Sequence, residues 1–270
     1  MIDNLKIFDS HVHIGDAKLC KKILETTIYK QKYKLYSCID PLVVEETDDY
    51  LHQLDGFYAI PLVFKEMSVS NSNIYVSEID KKYSNGVGVF LLENNDCDLD
   101  IYRYNILKEH FLLHHEDEWC NRTDSYDFLN STNGFLILHC RDRVRISYID
   151  FLHKQFPNIN IIIAHMGRNV FEDYKFNVEI IEHFKNNDKI IMDTSTVLNA
   201  SIIKLGIDLL GIERILFGSD FPFSVLPGVK VENFYMFLND LNLKESLLEK
   251  LMYKNSNNIL KSLKKRCNDE

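Results

Sequence analysis

The sequence has a deficit of positive charge. Its 270 residues contain 31 lysines and arginines against 40 aspartates and glutamates, which gives a formal net charge of −9 at pH 7. Tight, non-specific binding to nucleic acid or to an anionic membrane depends on a basic surface. We therefore expect neither nucleic acid nor a membrane as a partner.

Long apolar runs and paired cysteines are also absent. No segment approaches the roughly 20 apolar residues that cross a bilayer. The first residues form a short strand pattern instead of a secretory signal. Six cysteines are scattered along the chain without a Cys-x-x-Cys pair. We therefore expect reduced thiols in a cytoplasmic protein, in which the cysteines do not bind metal.

No linker of Pro/Gly/Ser composition, internal repeat or low-complexity segment divides the chain. Short apolar runs alternate with helical patterns along nearly its whole length, which is typical of a parallel sheet covered by helices. We predict an α/β fold with a single (β/α)8 TIM barrel domain over residues 1–270. An open doubly wound sheet is the alternative, but no Gly-x-Gly-x-x-Gly motif follows the first strand.

Nine segments have the pattern of a strand, one more than such a barrel needs. They are residues 5–14, 35–39, 56–63, 86–92, 106–113, 134–139, 160–165, 189–194 and 214–220. Either the segment around Tyr36 or the one around Leu112 is then not a barrel strand, or one of the two is an extra element. We interpret the irregular stretch at about 93–133 as a long insertion at the rim.

This stretch contains the acidic run His-His-Glu-Asp-Glu-Trp at residues 114–119. Adjacent histidines point apart on a helix or a strand, so we interpret the run as a solvated loop and not as a metal cluster. Together with Arg122 it could form a lid over a site at the rim, since long barrel loops are often functional.

The opening strand ends in Asp9-Ser10-His11-Val12-His13. Side chains repeat every second residue in a strand, so this spacing predicts that Asp9, His11 and His13 share one face. Two imidazoles at a strand end suit a metal ion better than a packed core. For an isolated His-x-His, a pair of hydrogen-bonded histidines in a turn would be the better interpretation.

Later strands supply further polar ends. His139 ends a strand in mid-chain, His165 ends the next one and Asp220 ends the last. In a parallel barrel all of these ends lie on one rim, where barrel enzymes place their chemistry. Each residue alone could be a satisfied polar group or the start of a turn, but together they predict a metal site. This mix of nitrogen and carboxylate ligands suits zinc or a similar divalent ion.

Five segments carry a family resemblance. They are Asp-Ser-His-Val-His at 9–13, the stretch from Phe-Pro-Asn to His-Met-Gly at 156–167, Met-Asp-Thr-Ser at 192–195, Arg-Ile-Leu-Phe-Gly-Ser-Asp-Phe-Pro at 214–222, and Asn-Ser-Asn-Asn-Ile-Leu at 255–260. Together they resemble the amidohydrolase superfamily, in its amidohydrolase-related branch. That branch holds both hydrolases and metal-dependent decarboxylases.

The resemblance implies which side chains act at the metal. The ligands of one divalent ion would be His11, His13, His139 and Asp220. We expect zinc and leave manganese or another divalent ion open. His165 would orient or deprotonate the metal-bound water, and Asp220 would accept its proton and pass it to the leaving group. Asp9 is expected to brace the strand or a ligand.

Many members of the superfamily bridge a second metal with a carboxylated lysine on the fourth strand. Lys108 is the only candidate for that lysine in this sequence, but we favour a single metal. Lys108 and His110, which share a face if their segment is extended, are instead expected to contact the substrate. Arg141 could pair with a substrate carboxylate or phosphate, or with the neighbouring Asp142.

We predict a metal-dependent hydrolase that uses metal-activated water on a C–N or C–O bond of a small amide, lactone or ester, which could be anionic. The alternative is a non-oxidative decarboxylase on the same scaffold. His-Cys-Arg-Asp at 139–142 suggests a TatD-type DNase, against which the acidic balance and Gly-Ser-Asp at 218–220 weigh. A non-catalytic metal-binding barrel would need a closed site. Assembly into a homo-oligomer is left open.

Overall fold

The computed structural model describes residues 5–15, 49–63, 68–95, 104–139, 145–167, 174–221 and 240–268. The strands are β1 (Phe8–Ile14), β2 (Gly56–Pro61), β3 (Gly86–Gly88), β4 (Phe90–Leu91), β5 (Ile106–His110), β6 (Phe135–His139), β7 (Asn160–Ile163), β8 (Ile190–Asp193) and β9 (Ile215–Leu216). The α-helices are α1 (Val69–Lys82), α2 (Thr123–Ser131), α3 (Arg145–Gln155), α4 (Lys175–Phe184), α5 (Ala200–Leu210), α6 (Glu245–Glu249) and α7 (Asn255–Asn268).

All strand pairs in the described part of the chain are parallel, as the near-continuous apolar strands predict. Strands β1 to β3 form one sheet and β4 to β9 form another. The two sheets meet where β3 and β4 follow each other. Val89, which lies between β3 and β4, donates from its amide to the carbonyl of Ala59, and the amide of Leu92 donates to the carbonyl of Lys108. Residues 86–91 therefore act as one strand between β2 and β5.

Backbone hydrogen bonds also join the last strand to the first. The amide of Ser10 donates to the carbonyl of Phe217 at 2.9 Å, and the amide of Asp220 donates to the carbonyl of His11 at 2.8 Å. With β3 and β4 counted as one strand, eight strands form a closed ring, which is the predicted (β/α)8 barrel. The ring is complete without residues 35–39, which lie outside the described residues.

The stretch from 93 to 133 contributes a strand to this ring as well as segments at the rim. Strand β5 pairs with β4 on one side and with β6 on the other. A 3-10 helix from Glu116 to Arg122 then leads directly into α2. The segment around Leu112 thus belongs to the barrel through its first half, Ile106–His110.

Apolar side chains fill the barrel interior below the rim. Phe8, Tyr58, Ile137 and Ile162 are at most 1% exposed and belong to one cluster, to which helix α7 adds Leu260. Two other clusters of buried apolar residues lie between the outer faces of the strands and the helices that cover them. The polar strand ends are thus left at the opposite end of the interior from this packed layer. None of the described helices has the length and apolar character needed to cross a membrane.

Candidate metal centre

Strand β1 brings the side chains of His11 and His13 into the mouth of the barrel. The Nε2 atom of His13 lies 3.2 Å from Oδ1 of Asp220, and Nε2 of His11 lies 3.6 Å from the same oxygen. One possible ligand atom from each of the three residues lies within 4.8 Å of the others, and all three residues are buried. The structure therefore brings together three of the four ligands that the family resemblance implies.

The second ring nitrogen of each of these histidines is held by the barrel wall. Nδ1 of His13 donates to the backbone carbonyl of Pro61 at 3.0 Å. Nδ1 of His11 lies 2.8 Å from Oδ2 of Asp193, at the end of β8. A carbonyl or a carboxylate can only accept, so both rings carry their proton on Nδ1 and direct the lone pair of Nε2 into the site.

The backbone after β9 places Asp220 with little freedom. Asp220 has a φ of 63°, in the left-handed region, and its amide donates to the carbonyl of His11. A side chain at Gly218 would bring a Cβ atom to 2.9 Å from Cβ of His11. Only glycine permits this close approach, which presses the Asp220 turn against β1.

Asp9 braces the same turn from the other side. Its Oδ1 accepts from the amides of His11 and Ser219 at 3.0 and 2.9 Å, and its Oδ2 accepts from the hydroxyl of Tyr50 at 2.6 Å. The expectation that Asp9 supports a ligand is confirmed. The expectation that it shares a face with His11 and His13 is wrong, because the register of β1 shifts between Asp9 and Val12 and interrupts the alternation.

The charges at the site suit a divalent cation. Burial alone would raise the pKa of Asp220, but the neighbouring His165, His13 and His11 outweigh it and lower this pKa to about 2. Burial lowers the pKa of His11 to about 3, with a contribution from the Lys108 ammonium, and burial also lowers the pKa of His13. The site therefore offers two neutral imidazoles and one carboxylate, the donor set of zinc and similar ions.

Lys108 lies against this donor set. Its side chain is fully buried, and its Nζ donates to Nε2 of His11 at 3.0 Å. Burial lowers the pKa of Lys108 to about 8, and the carboxylates of Asp220 and Asp193 limit the shift. Because β5 is an extended strand, Lys108 and His110 share the interior face, as the sequence predicts for an extended segment. The contact of Lys108 and His110 with a substrate stays a prediction.

His165 stands at the end of β7, in a left-handed turn with a φ of 56°. Its amide donates to Asp193 at 3.0 Å, and its Nδ1 lies 3.1 Å from the carbonyl oxygen of Ser195 and 2.8 Å from that residue's hydroxyl. Its ring centre is 5.0 Å from that of His11 and 4.5 Å from that of His139. The turn thus directs His165 into the barrel mouth, beside two predicted ligands.

The remaining predicted residues are less closely placed. The ring of His139 packs against His165 and His110, but it does not belong to the group of ligand atoms formed by His11, His13 and Asp220 within the described residues. Its role as a fourth ligand stays a prediction. Arg141 lies outside the described residues.

The sequence matches a known protein family. The family model described as amidohydrolase matches residues 109–261, more than half of the sequence. The chain belongs to the amidohydrolase family. No curated protein shows a significant match to its sequence.

Solved structures resemble this chain over nearly its whole length. A 5-carboxyvanillate decarboxylase from Sphingomonas paucimobilis is 13% identical with a TM-score of 0.63, over 96% of this chain and 99% of that one. A dihydroxybenzoic acid decarboxylase from Polaromonas, with bound manganese and 2-nitroresorcinol, is 12% identical with a TM-score of 0.62, over 95% and 97%. A protein provisionally named 2-pyrone-4,6-dicarboxylic acid hydrolase, from Pseudomonas putida, is 15% identical with a TM-score of 0.70, over 96% and 98%. These likenesses support the barrel fold.

One residue of the site, Asp193, was given no role in the sequence analysis. Asp193 accepts hydrogen bonds from the ring of His11, from the amide of His165, and from both the amide and the hydroxyl of Ser195. Burial would raise its pKa, but His11, His165 and Ser195 together lower it well below the usual range. The only signal for it was the family motif at 192–195, which also places an acidic residue at a strand end.

The structure corrects the interpretation of residues 114–119 as a solvated loop only at the first residue, since His115, Asp117 and Glu118 are exposed as expected. His114 is buried, and its ring bridges the amide of His110 and the carbonyl of Leu92 at 2.9 and 3.1 Å. Arg122 is only 2% exposed and contacts Glu109 on the outer face of β5. Arg122 is therefore part of the packing between β5 and the following helices, not of a lid.

Replacement of Asp193 by asparagine is expected to weaken metal binding by about 10- to 100-fold, the usual effect of losing a group that orients a ligand. Asparagine has the same shape, but it lacks the charge that holds His11 in its Nδ1–H form. Competition with a chromophoric chelator measures the affinity. Asp150→Asn, at an exposed pair with His183, is the matched control and should bind metal as the wild type does. Equal affinities in both variants would show that Asp193 does not orient the ligand.

Proposed function

We propose that this protein is a metal-dependent hydrolase that cleaves a C–N or C–O bond of a small amide, lactone or ester. The observation that carries the proposal is the convergence of His11, His13 and Asp220 within 4.8 Å of one another. They meet at the barrel end where enzymes of this fold place their chemistry. We further propose that the chain acts as a single domain in the cytoplasm.

The metal would be held by Nε2 of His11, Nε2 of His13 and the carboxylate of Asp220, with His139 as the fourth ligand. When bound, a divalent ion lowers the pKa of water to about 7 and polarises a carbonyl group. We propose zinc, with manganese as the other candidate because a structurally similar decarboxylase carries it. One metal per chain is expected.

His165 would move the proton of the attacking water. Its Nδ1 donates to the backbone carbonyl of Ser195, so the lone pair of Nε2 is available as a base. Asp220, whose pKa is lowered to about 2, remains a carboxylate at neutral pH. Its second oxygen can accept a proton and return it to the leaving group.

The substrate-binding side chains would favour an anionic substrate. Lys108 adds a buried cation beside His11, and Arg141 is proposed to pair with a carboxylate or phosphate of the substrate. His110 lies on the same face of β5 as Lys108. With a net charge of −9, a small anion is a more suitable substrate than a nucleic acid, which disfavours the DNase alternative.

A non-oxidative decarboxylase is the second candidate. The specific observation in its favour is the ammonium of Lys108, because it lies 3.0 Å from a metal-ligand nitrogen and could pair with a substrate carboxylate. Two of the structurally similar proteins are named decarboxylases of aromatic carboxylates. On this scaffold a decarboxylase would hold the substrate carboxylate or an adjacent oxygen at the same ligands.

A substrate panel with metal-reconstituted protein tests the two candidates against each other. The panel contains esters, lactones, amides and aromatic carboxylates, and the reaction is run in ¹⁸O-labelled water. We expect ¹⁸O in the product, loss of turnover after chelation, and its return with added Zn²⁺ or Mn²⁺. Release of CO₂ without uptake of labelled oxygen would replace the hydrolase by the decarboxylase. Turnover that survives complete removal of metal would contradict both.

A further inference from the structure

The imidazole of His110 has a different pattern of hydrogen bonds from the imidazoles of His11, His13 and His165. His110 is the last residue of β5, two residues after Lys108, and is 6% exposed. Its ring stacks on Phe111, with centres 4.7 Å apart, and meets the ring of His139 edge-on at 4.6 Å. It therefore lies in the mouth of the barrel, on the interior face that carries the candidate metal centre.

The direction of one hydrogen bond determines which nitrogen of His110 carries the proton. The backbone amide of Leu112 donates to Nδ1 of His110 at 3.2 Å. An amide can only donate, so Nδ1 holds a lone pair and the neutral ring must carry its hydrogen on Nε2. Nε2 makes no hydrogen bond to any of the described residues.

The turn that follows β5 maintains this arrangement. The amide of His110 donates to Nδ1 of His114 at 2.9 Å, and Nε2 of His114 donates to the carbonyl of Leu92 at 3.1 Å. The carbonyl of His110 accepts from the amides of Leu113 and His114. These bonds close a tight turn, and this turn brings the amide of Leu112 to the ring of His110.

Three other histidines at the rim have the opposite tautomer. His11, His13 and His165 each donate from Nδ1, to Asp193, to the carbonyl of Pro61 and to the carbonyl of Ser195. Each therefore presents the lone pair of Nε2, which can bind a metal or accept a proton. His110 presents an N–H group, which can do neither.

We propose that His110 is a hydrogen-bond donor to an anionic oxygen of the substrate, through its Nε2–H group, and that it is not a metal ligand. A neutral imidazole donates well to a carboxylate or to a developing oxyanion in a site that excludes water. The Lys108 ammonium, on the same face of β5, provides the complementary positive charge. This inference rests on the proposed function, because it assigns part of the substrate site.

Two conservative substitutions distinguish the roles of the two ring nitrogens of His110. In His110→Asn the side-chain oxygen can replace Nδ1 as the acceptor for the Leu112 amide, but no N–H group reaches the position of Nε2. In His110→Gln the side-chain amide can place an N–H group near the position of Nε2. His183→Gln, at the exposed pair with Asp150, serves as the control for loss of a histidine.

The tautomer is read from long-range ¹H–¹⁵N spectra of the full-length protein labelled on histidine, in which the His110 signals are identified by their absence from His110→Asn. We expect the proton of His110 on Nε2. Metal content after reconstitution with Zn²⁺ should be equal in the wild type and all three variants. A proton on Nδ1, or a metal content that falls in His110→Asn, would overturn the proposal.

Binding of benzoate to the zinc-loaded proteins tests the role of the N–H group. Loss of one hydrogen bond to a charged partner should weaken the affinity of His110→Asn for benzoate by about 10- to 100-fold. His110→Gln should recover part of this loss, and His183→Gln should bind like the wild type. Equal affinities of the wild type and His110→Asn for benzoate would overturn the proposal. The tautomer does not depend on turnover, so failure of the hydrolase proposal is distinguished from failure of this one.

Discussion

Asp220→Asn is expected to remove the metal from the protein. The substitution preserves the shape of the side chain, so the turn after β9 can keep its hydrogen bond to His11. It removes the only charge among the three ligands whose atoms lie within 4.8 Å of one another. Lys108 would remain, and its ammonium would face an incoming cation with one compensating carboxylate fewer. The site would then repel a divalent ion instead of attracting it.

The expected loss of metal affinity is more than about 100-fold, because removal of a ligand should exceed the effect of removing a group that only orients one. Metal content after dialysis, measured by mass spectrometry, gives the direct readout. Added Zn²⁺ should raise the melting temperature of the wild type and leave that of Asp220→Asn unchanged. Asp193→Asn should fall between the two. One tightly held metal per chain in dialysed Asp220→Asn would refute the metal centre.

Arg122→Met is expected to destabilise the fold by about 3–5 kcal/mol, the usual cost of leaving one partner of a buried ion pair. Glu109 points outward from β5 and is 2% exposed. Its carboxylate accepts from the hydroxyls of Tyr148 and Tyr126 at 2.7 and 2.9 Å, and Nη2 of Arg122 lies 3.4 Å away. Methionine fills a similar volume but leaves this carboxylate without a cation.

The 3-10 helix from Glu116 to Arg122 also contributes to the loss of stability in Arg122→Met. Arg122 donates to the backbone carbonyls of Glu118 and His115 at 3.2 and 2.9 Å, and it thereby ties the 3-10 helix to the barrel wall. Without the arginine these carbonyls lose their side-chain partner in a partly buried position. The free energy of unfolding, measured by urea denaturation, checks the expected change.

Two comparisons identify the cause of this loss. Glu109→Gln combined with Arg122→Met should recover part of the stability, because a neutral amide tolerates the loss of the cation. Burial raises the pKa of Glu109, so its carboxylate gains a proton as the pH falls. The difference in the free energy of unfolding between the wild type and Arg122→Met should then become smaller at acidic pH.

A surface ion pair provides the control. Lys81→Met, which breaks an exposed helical pair with Glu78, should change the free energy of unfolding by less than about 0.5 kcal/mol. If Arg122→Met lost no more stability than Lys81→Met, the proposed contribution of the buried Arg122–Glu109 pair would be contradicted.

Much of the site could be predicted because parallel strands share a direction. A histidine or aspartate at the end of an apolar run needs no partner to be recognised, and in a parallel barrel every such end lies at the same rim. Asp220 is more than 200 residues from His11 and His13 in the sequence. The three residues still meet, because β1 and the last strand are neighbours in the closed ring. Each polar strand end can be recognised in the local sequence, and the closed barrel then brings these ends close together in space.

The corrections come from contacts that depend on distant residues. Arg122 belongs to an acidic, polar stretch, and its burial is compensated by Glu109 of β5 and by the backbone carbonyls of His115 and Glu118. Asp9 has the spacing of a third site residue, but a shift in the register of β1 turns it toward Tyr50. Periodicity describes an ideal strand, so it cannot reveal where the alternation is interrupted.

The sequence by itself determined the parallel barrel, the polar strand ends and the chemistry of their side chains. Only the tertiary structure decided which nitrogen of His11, His13, His110 and His165 faces the site. That choice depends on whether a carboxylate, a carbonyl or an amide lies beside the ring, as Asp193 does for His11 and the amide of Leu112 does for His110. A side chain carries both nitrogens wherever it stands, so its role as ligand, base or donor is set by its neighbours.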